Sequence, residues 1–224
     1  MMKTSAALRF SGVLLAVAVL GGCNSVPSML EEAGLEQGPY YAPVNFRGEA
    51  RLPDDVHRVA VLPVHGGTVA QVETAAAMDA VLLTALQQQT RFEVVVVTRD
   101  ECRRLFGAYD FSSVGALPHG FLEKLAEHYA VDAVLFTDLT VYKAYRPLAL
   151  GFRAKLAGVR DMRLVWAFDE VFSADDPRLR NSVRHYYRRS DRAAPSDPMS
   201  TNLQSPARFG AVAADLMFRT LPPR

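Results

Sequence analysis

The sequence predicts an α/β fold, a mixed β-sheet sandwich with helices packed on it, preceded by a disordered amino-terminal tether. Three observations predict it. The run "RVAVLPV" at 58–64 is apolar at nearly every position, as a strand buried on both faces requires. Capped stretches of helical period alternate with further strand-like runs. From Phe152 the apolar period switches to two, the mark of an antiparallel pair with one solvated face.

Each element has its own warrant. After the first strand, Thr68-x-x-Gln71 has the form of a capping box, and Ala75, Met78, Leu82 and Leu86 recur on one face, predicting a helix from Val69 to about Gln88. "RFEVVVVTR" is the next strand; Thr98-x-x-Glu101 then caps a short helix that stops at Gly107. A loop leads to Pro118, beyond which Leu122, Leu125, Ala126 and Tyr129 mark another amphipathic helix, and "VDAVLFTDLTVY" is a strand. Phe152, Ala154 and Leu156 alternate with Arg153 and Lys155, and Met162, Leu164, Trp166 and Phe168 form a second alternating set. These predict a pair turning near Arg160-Asp161 with Trp166 protected. Asp176-Pro177 opens an Arg-rich helix, proline being suited to the first helical position. "SDRAAPSDPMSTNLQ", 190–204, reads as a loop. Ser205-Pro206 caps a last helix whose apolar face is Phe209, Val212, Ala213, Leu216 and Met217.

Ahead of this domain stands "VLLAVAVLGGCNS", 13–25. A spanning helix needs roughly 20 apolar residues, and Val13 to Leu20 is too short. A basic start at Lys3 and Arg9, a short apolar middle and small residues at the end describe a secretory signal peptide over residues 1–22. Leu20-Gly21-Gly22-Cys23 resembles a bacterial lipobox, which implies lipidation at Cys23 and a membrane partner reached through acyl chains. Each buried methylene adds about 0.8 kcal/mol, so more than one chain anchors stably. Asn24 in place of the aspartate that favours inner-membrane retention points to the outer membrane, on its periplasmic face. Residues 23–55 are rich in Pro, Gly and polar residues and read as a flexible tether, interrupted by a short helix near Met29 to Ala33. At about 3.4 Å per residue it would reach on the order of 100 Å. The folded domain is expected over 56–224.

Composition narrows the function classes. Without its first 22 residues, which hold two of the 25 basic residues and none of the 24 acids, the chain carries a formal charge of −1. A global nucleic-acid role gains no support from that balance. Cys102 has no partner once Cys23 is lipidated, so a disulfide framework is excluded and a small buried hydrophobe is the expected role. "LPVHGGT" invites comparison with the oxyanion turn of esterases, yet no serine sits in a Gly-x-Ser-x-Gly frame, and Gly66 and Gly67 are expected simply to turn the chain. The five histidines show no metal-ligand spacing, and no phosphate-cradling loop is present, so neither metal nor cofactor is expected. One local feature stands out. Arg178, Arg180, Arg184, Arg188, Arg189 and Arg192 crowd together with Tyr186 and Tyr187 among them. On a helix Arg180, Arg184 and Arg188 line one stripe, either a solvated face whose stems cover apolar surface or a docking surface for phosphate-bearing lipid or an acidic protein.

"VAVLPV", "LLTALQQQTRFEVVVVTRDECRRL", "LAEHYAVDAVLFTDLTVY" and "RLVWAFDEVF" together resemble the curli-assembly, CsgG-like lipoprotein family. Related sandwich domains occur in penicillin-binding-protein activator lipoproteins and at the amino end of TolB. The resemblance covers roughly 56–172 and the final helix. It implies a non-catalytic periplasmic domain on an outer-membrane anchor, serving envelope assembly or export as an adaptor through an unidentified envelope protein partner. Self-association into a homo-oligomer stays open. Pore formation is not expected, because Arg153, Lys155 and Arg163 would sit badly in lipid. A regulator of a cell-wall synthase is the alternative, and an envelope hydrolase a further one.

Overall fold

The computed structural model describes residues 39–189 and 205–224. Its centre is one mixed sheet. Strand β1 is Phe46–Gly48, β2 Arg58–Val61, β3 His65–Gly66, β4 Glu93–Val96, β5 Ala133–Lys143, β6 Ala149–Gly158 and β7 Leu164–Ser173. They run β1-β7-β6-β5-β2-β4 across the sheet, with β3 beside the far end of β5. β2 lies parallel to both β4 and β5, whereas β5, β6, β7 and β1 pair antiparallel. The helices are α1 Val69–Gln87, α2 Arg99–Phe106, α3 Phe121–Tyr129, α4 Pro177–Arg189 and α5 Pro206–Phe218.

Alternation along β2 divides the interior in two. Val59 faces a large core with Leu135, Phe152, Leu156, Trp166 and Phe172, covered by Met78 and Leu82 of α1, Leu179 and Val183 of α4 and Phe209 and Met217 of α5. Ala60 and Leu62 face a smaller core with Val134 and Phe136, covered by Cys102 of α2 and Phe121 and Leu125 of α3. The doubly apolar run of β2 thus serves both faces, as its composition requires. Trp166 is fully buried, and its indole N–H donates to Thr220 Oγ1 at 3.1 Å. At Thr98 the capping box forms in full, and Gly107 ends α2 in the left-handed region at φ 85°.

Several expectations are corrected. The tether was expected to run to residue 55, but the chain is part of the fold from Pro39. β1 pairs with β7, the Tyr41 N–H donates to Ser182 Oγ at 2.8 Å, and Leu52 and Val56 are buried. Aromatic and apolar residues scattered without a period gave this segment no periodic signature, and β7 holds it by backbone pairing. Residues 1–38 and 190–204, including Cys23, the expected Met29–Ala33 helix and the expected loop, lie outside the described residues. Thr68 caps α1 without a side-chain hydrogen bond, because its own carbonyl takes the Gln71 amide at 2.9 Å. The period-two set of β7 breaks before Trp166. The register steps from Leu156↔Trp166 to Ala157↔Leu164, an irregularity that leaves Val165 and Trp166 both buried, with Leu164 50% and Met162 72% exposed.

Gly66 does more than turn the chain. A Cβ there would lie 2.9 Å from the backbone of Gln71, because β3 ends against the first turn of α1. At Gly67 the nearest atom would be the Gln71 Oε1, at 3.7 Å. Gly66→Ala should therefore cost about 1–3 kcal/mol through overpacking against backbone that cannot move aside, while Gly67→Ala should be close to neutral. Urea unfolding followed by the emission of Trp166 measures both. Equal stability of the two variants would contradict the close approach.

Candidate functional site

Two regions of the described chain concentrate polar chemistry. The first lies where the parallel strands β2 and β4 end. Arg99, the first residue of α2, is aimed back over the strand ends by the capped turn at Thr98. Its Nε donates to Asp79 Oδ2 at 2.8 Å, one Nη to Asp110 Oδ2 at 2.7 Å and the other to the Val64 carbonyl at 2.7 Å. Asp79, from α1, also accepts the Val64 N–H at 2.8 Å, and His65 Nδ1 meets Asp110 Oδ1 at 2.7 Å. Burial alone would lower the Arg99 pKa, but hydrogen bonds and charge from Asp79 and Asp110 outweigh it and raise it. A cavity of about 270 Å³ adjoins this cluster, lined mostly by apolar groups such as Leu82, Leu86, Val97 and Leu135.

This cluster joins four parts of the chain and leaves little for catalysis. The His65–Asp110 pair has the form of a base with its orienting carboxylate, but a hydrolase also needs a nucleophile at the imidazole. Among the described residues none hydrogen-bonds His65 in that way. The nearby Ser113 hydroxyl donates instead to Asp138, a buried carboxylate that also takes the Ser113 N–H at 3.0 Å. The loop from Ala108 to His119 is thereby fastened by Asp110 on one side and Ser113 on the other. Lys155, expected on a solvated strand face, donates to the Ser113 carbonyl at 2.9 Å, and Arg153 pairs with Asp169 at 2.7 Å. Among the described residues no group of acidic, His or Cys side chains could hold a metal ion.

The second region is α4. Leu179, Ser182 and Val183 are buried beneath it, and Tyr187 hydroxyl donates to the Arg208 carbonyl at 2.9 Å, tying α4 to α5. Arg180 and Arg184 are half-buried on its flank, one turn apart, and the backbone of Arg188 continues the same helical row. Arg180 donates to the Asp175 carbonyl at 3.1 Å; Arg184 has no hydrogen bond or ion pair among the described residues. Arg178, outside that row, pairs with Asp176 at 3.2 Å and lies 5.8 Å from the Tyr41 ring centre. A cleft of about 210 Å³ separates α4 from α5, lined among others by Tyr40, His185, Arg189, Asp215 and Arg219. Burial raises the Asp215 pKa against the opposing pull of Arg219, which pairs with it at 2.7 Å.

The incoming chain crosses this helix. Pro39 carbonyl accepts from Asn181 Nδ2 at 3.3 Å, the Tyr40 ring sits 4.9 Å from that of His185, and Tyr41 hydroxyl donates to Glu170 at 2.8 Å. Burial first, then the Glu170 hydrogen bond and charge, raise the Tyr41 pKa. Sequence reasoning found the arginines but missed this contact; the pair Tyr40-Tyr41 after Pro39 was the available signal. Of the residues singled out from sequence, the structure brings Arg180 and Arg184 together, and Cys23 lies outside the described residues. Cys102 is buried, and burial, reinforced by Asp110, pushes its thiol up to about 12.

No protein-family model matches the chain, and no curated protein matches it. Solved structures do. The PelC dodecamer from Paraburkholderia phytofirmans is similar at 12% identity and TM-score 0.42, covering 80% of this chain and 98% of that one. The lipoprotein GNA1162 from Neisseria meningitidis is similar at 16% identity and TM-score 0.40, covering 62% and 99%. The C-terminal domain of LpoB from Salmonella enterica is similar at 16% identity and TM-score 0.35, covering 53% and 86%.

The Arg99 cluster and the buried Cys102 thiol have measurable consequences. Replacing Arg99 by Met strands Asp79 and Asp110 without their shared donor, and should cost about 2 kcal/mol in urea unfolding; Lys should not restore it, since one ammonium cannot serve acceptors spread along a guanidinium fork. Cys102 should resist iodoacetamide at pH 8 in the native protein and react fully in urea, read as a mass shift. Rapid native alkylation would contradict its burial.

Proposed function

We propose that this chain is a lipoprotein anchored at Cys23 in the outer membrane, facing the periplasm, whose domain acts without catalysis as an adaptor in envelope assembly or export. The observation that carries the reading is Leu20-Gly21-Gly22-Cys23 behind a basic start and a short apolar run. Among the described residues no helix is long and apolar enough to cross a membrane, and the apolar faces of the helices are spent on the two cores. The segments that resemble the curli-assembly family fall on β2, on the stretch from α1 through β4 to α2, on α3 to β5 and on β7.

Tether length bears on the alternative. With Pro39 already held on α4, only 15 residues separate Cys23 from the domain. At full extension that is roughly 50 Å, about half the span expected from sequence. A synthase regulator that must reach far from its membrane fits less well than an adaptor working close to it. The hydrolase reading finds no support in the arrangement around His65.

The anchor is tested by labelling with radioactive palmitate. The native protein should take up label and sediment with outer membranes; Cys23→Ala should do neither, and should accumulate as uncleaved precursor. Label on the Cys23→Ala protein would overturn the reading. The adaptor role is tested by photo-crosslinkers placed on the domain in intact envelopes, which should trap a discrete envelope protein only when Cys23 is intact.

A further inference from the structure

Three observations about α4 converge. Its thirteen residues, "PRLRNSVRHYYRR", hold five arginines and no acid. Arg178 is answered by Asp176, but among the described residues Arg184 has no ion pair and Arg180 donates to a backbone carbonyl alone. The chain arriving from Cys23 crosses this same helix, through Pro39 on Asn181, Tyr40 on His185 and Tyr41 on Ser182. The helix that carries the excess charge is also the helix at which the domain is leashed.

We infer that the row of α4 that holds the half-buried Arg180 and Arg184 and continues along the helix to Arg188 is a docking surface for anionic phospholipid headgroups, so that tether and helix together lay the domain on the membrane. The inference rests on the lipid anchor proposed above and adds a second membrane contact to it. A leash of 15 residues keeps α4 within roughly 50 Å of the bilayer at all times. The phosphates of that bilayer are therefore present at high effective concentration, whereas a soluble acidic protein must arrive by diffusion. Guanidinium groups fork onto phosphate oxygens, and they are weakly hydrated enough to do so at an interface. With the acyl chains already giving stable anchoring, a basic patch beside them adds an attraction that fixes which face meets the headgroups. Arg178 takes no part, because Asp176 already neutralises it.

The test uses the mature chain from residue 23 with Cys23→Ser, which keeps every described residue and carries no acyl chain. Co-sedimentation is measured with phosphatidylcholine vesicles and with vesicles in which a third of the lipid is phosphatidylglycerol. Binding is expected to the second only, and to fade at high salt as screening shortens the reach of the charges. The variant Arg180→Gln/Arg184→Gln/Arg188→Gln should partition on the order of a hundredfold more weakly, while Arg103→Gln/Arg104→Gln, on α2, should bind as before. Should the triple variant lose its fold, Arg184→Glu alone decides, since that side chain has no partner among the described residues; it should lower partition at an unchanged melting temperature. No preference for phosphatidylglycerol, or equal binding by the α4 and α2 variants, overturns the inference. Retention on immobilised polyglutamate without vesicle binding also overturns it, in favour of an acidic protein. Palmitate labelling tests the anchor independently, so vesicle binding without label would sink the anchor and not the docking surface.

Discussion

The central pair β2–β5 must be covered on both faces, and the rest of the architecture answers that need. Val59 and Leu135 project into one core, Ala60, Val134 and Phe136 into the other. A parallel pair with both faces apolar is unstable in water unless helices lie above and below it. Here α1 and α5, with α4 beside α5, take the larger face, and α2 with α3 the smaller. The antiparallel extension β6–β7 then widens the larger core with Phe152, Leu156, Trp166 and Phe172. Its opposite side carries Arg153 and Lys155, where ion pairing and a loop carbonyl serve instead of apolar packing.

The Arg99 cluster follows from the same arrangement. Strands that end together with helices on both sides expose backbone groups and leave α1, α2 and the Ala108–His119 loop to be joined. One guanidinium with five donors meets Asp79, Asp110 and the Val64 carbonyl at once. Asp110 spends one oxygen on His65 and the other on Arg99, so its orientation serves the loop.

Legibility in the sequence tracked how local the cause was. The capped helix at Thr98, the face of α1 at Ala75, Met78, Leu82 and Leu86, and the doubly apolar β2 are written in residues a few positions apart, and all are present. Features set by distant partners were not readable. β1 has three exposed residues and owes its existence to backbone pairing with β7. The Val165 irregularity depends on register against β6, so the alternation that placed Trp166 correctly misplaced Met162 and Leu164. For the site, the arginine row was visible as composition and period. The contacts that give it a direction, Pro39 on Asn181 and Tyr40 on His185, join residues more than 140 positions apart.

That long-range contact changes what the tether is. A leash entering at β2 would let the domain swing at the end of more than thirty residues, with no face preferred. Held instead at α4, the chain meets the fold over one particular helix, and 15 residues rather than 32 separate Cys23 from it. The halving matters less for reach than for orientation. Near a bilayer, a shorter leash confines the domain to a thinner layer and favours the pose in which the point of attachment faces the lipid, since turning away requires the chain to wrap around the body. Under the anchor proposed at Cys23, the contacts of Pro39, Tyr40 and Tyr41 would turn toward a membrane the helix that holds Arg180 and Arg184, and that is the pose the vesicle measurement reads.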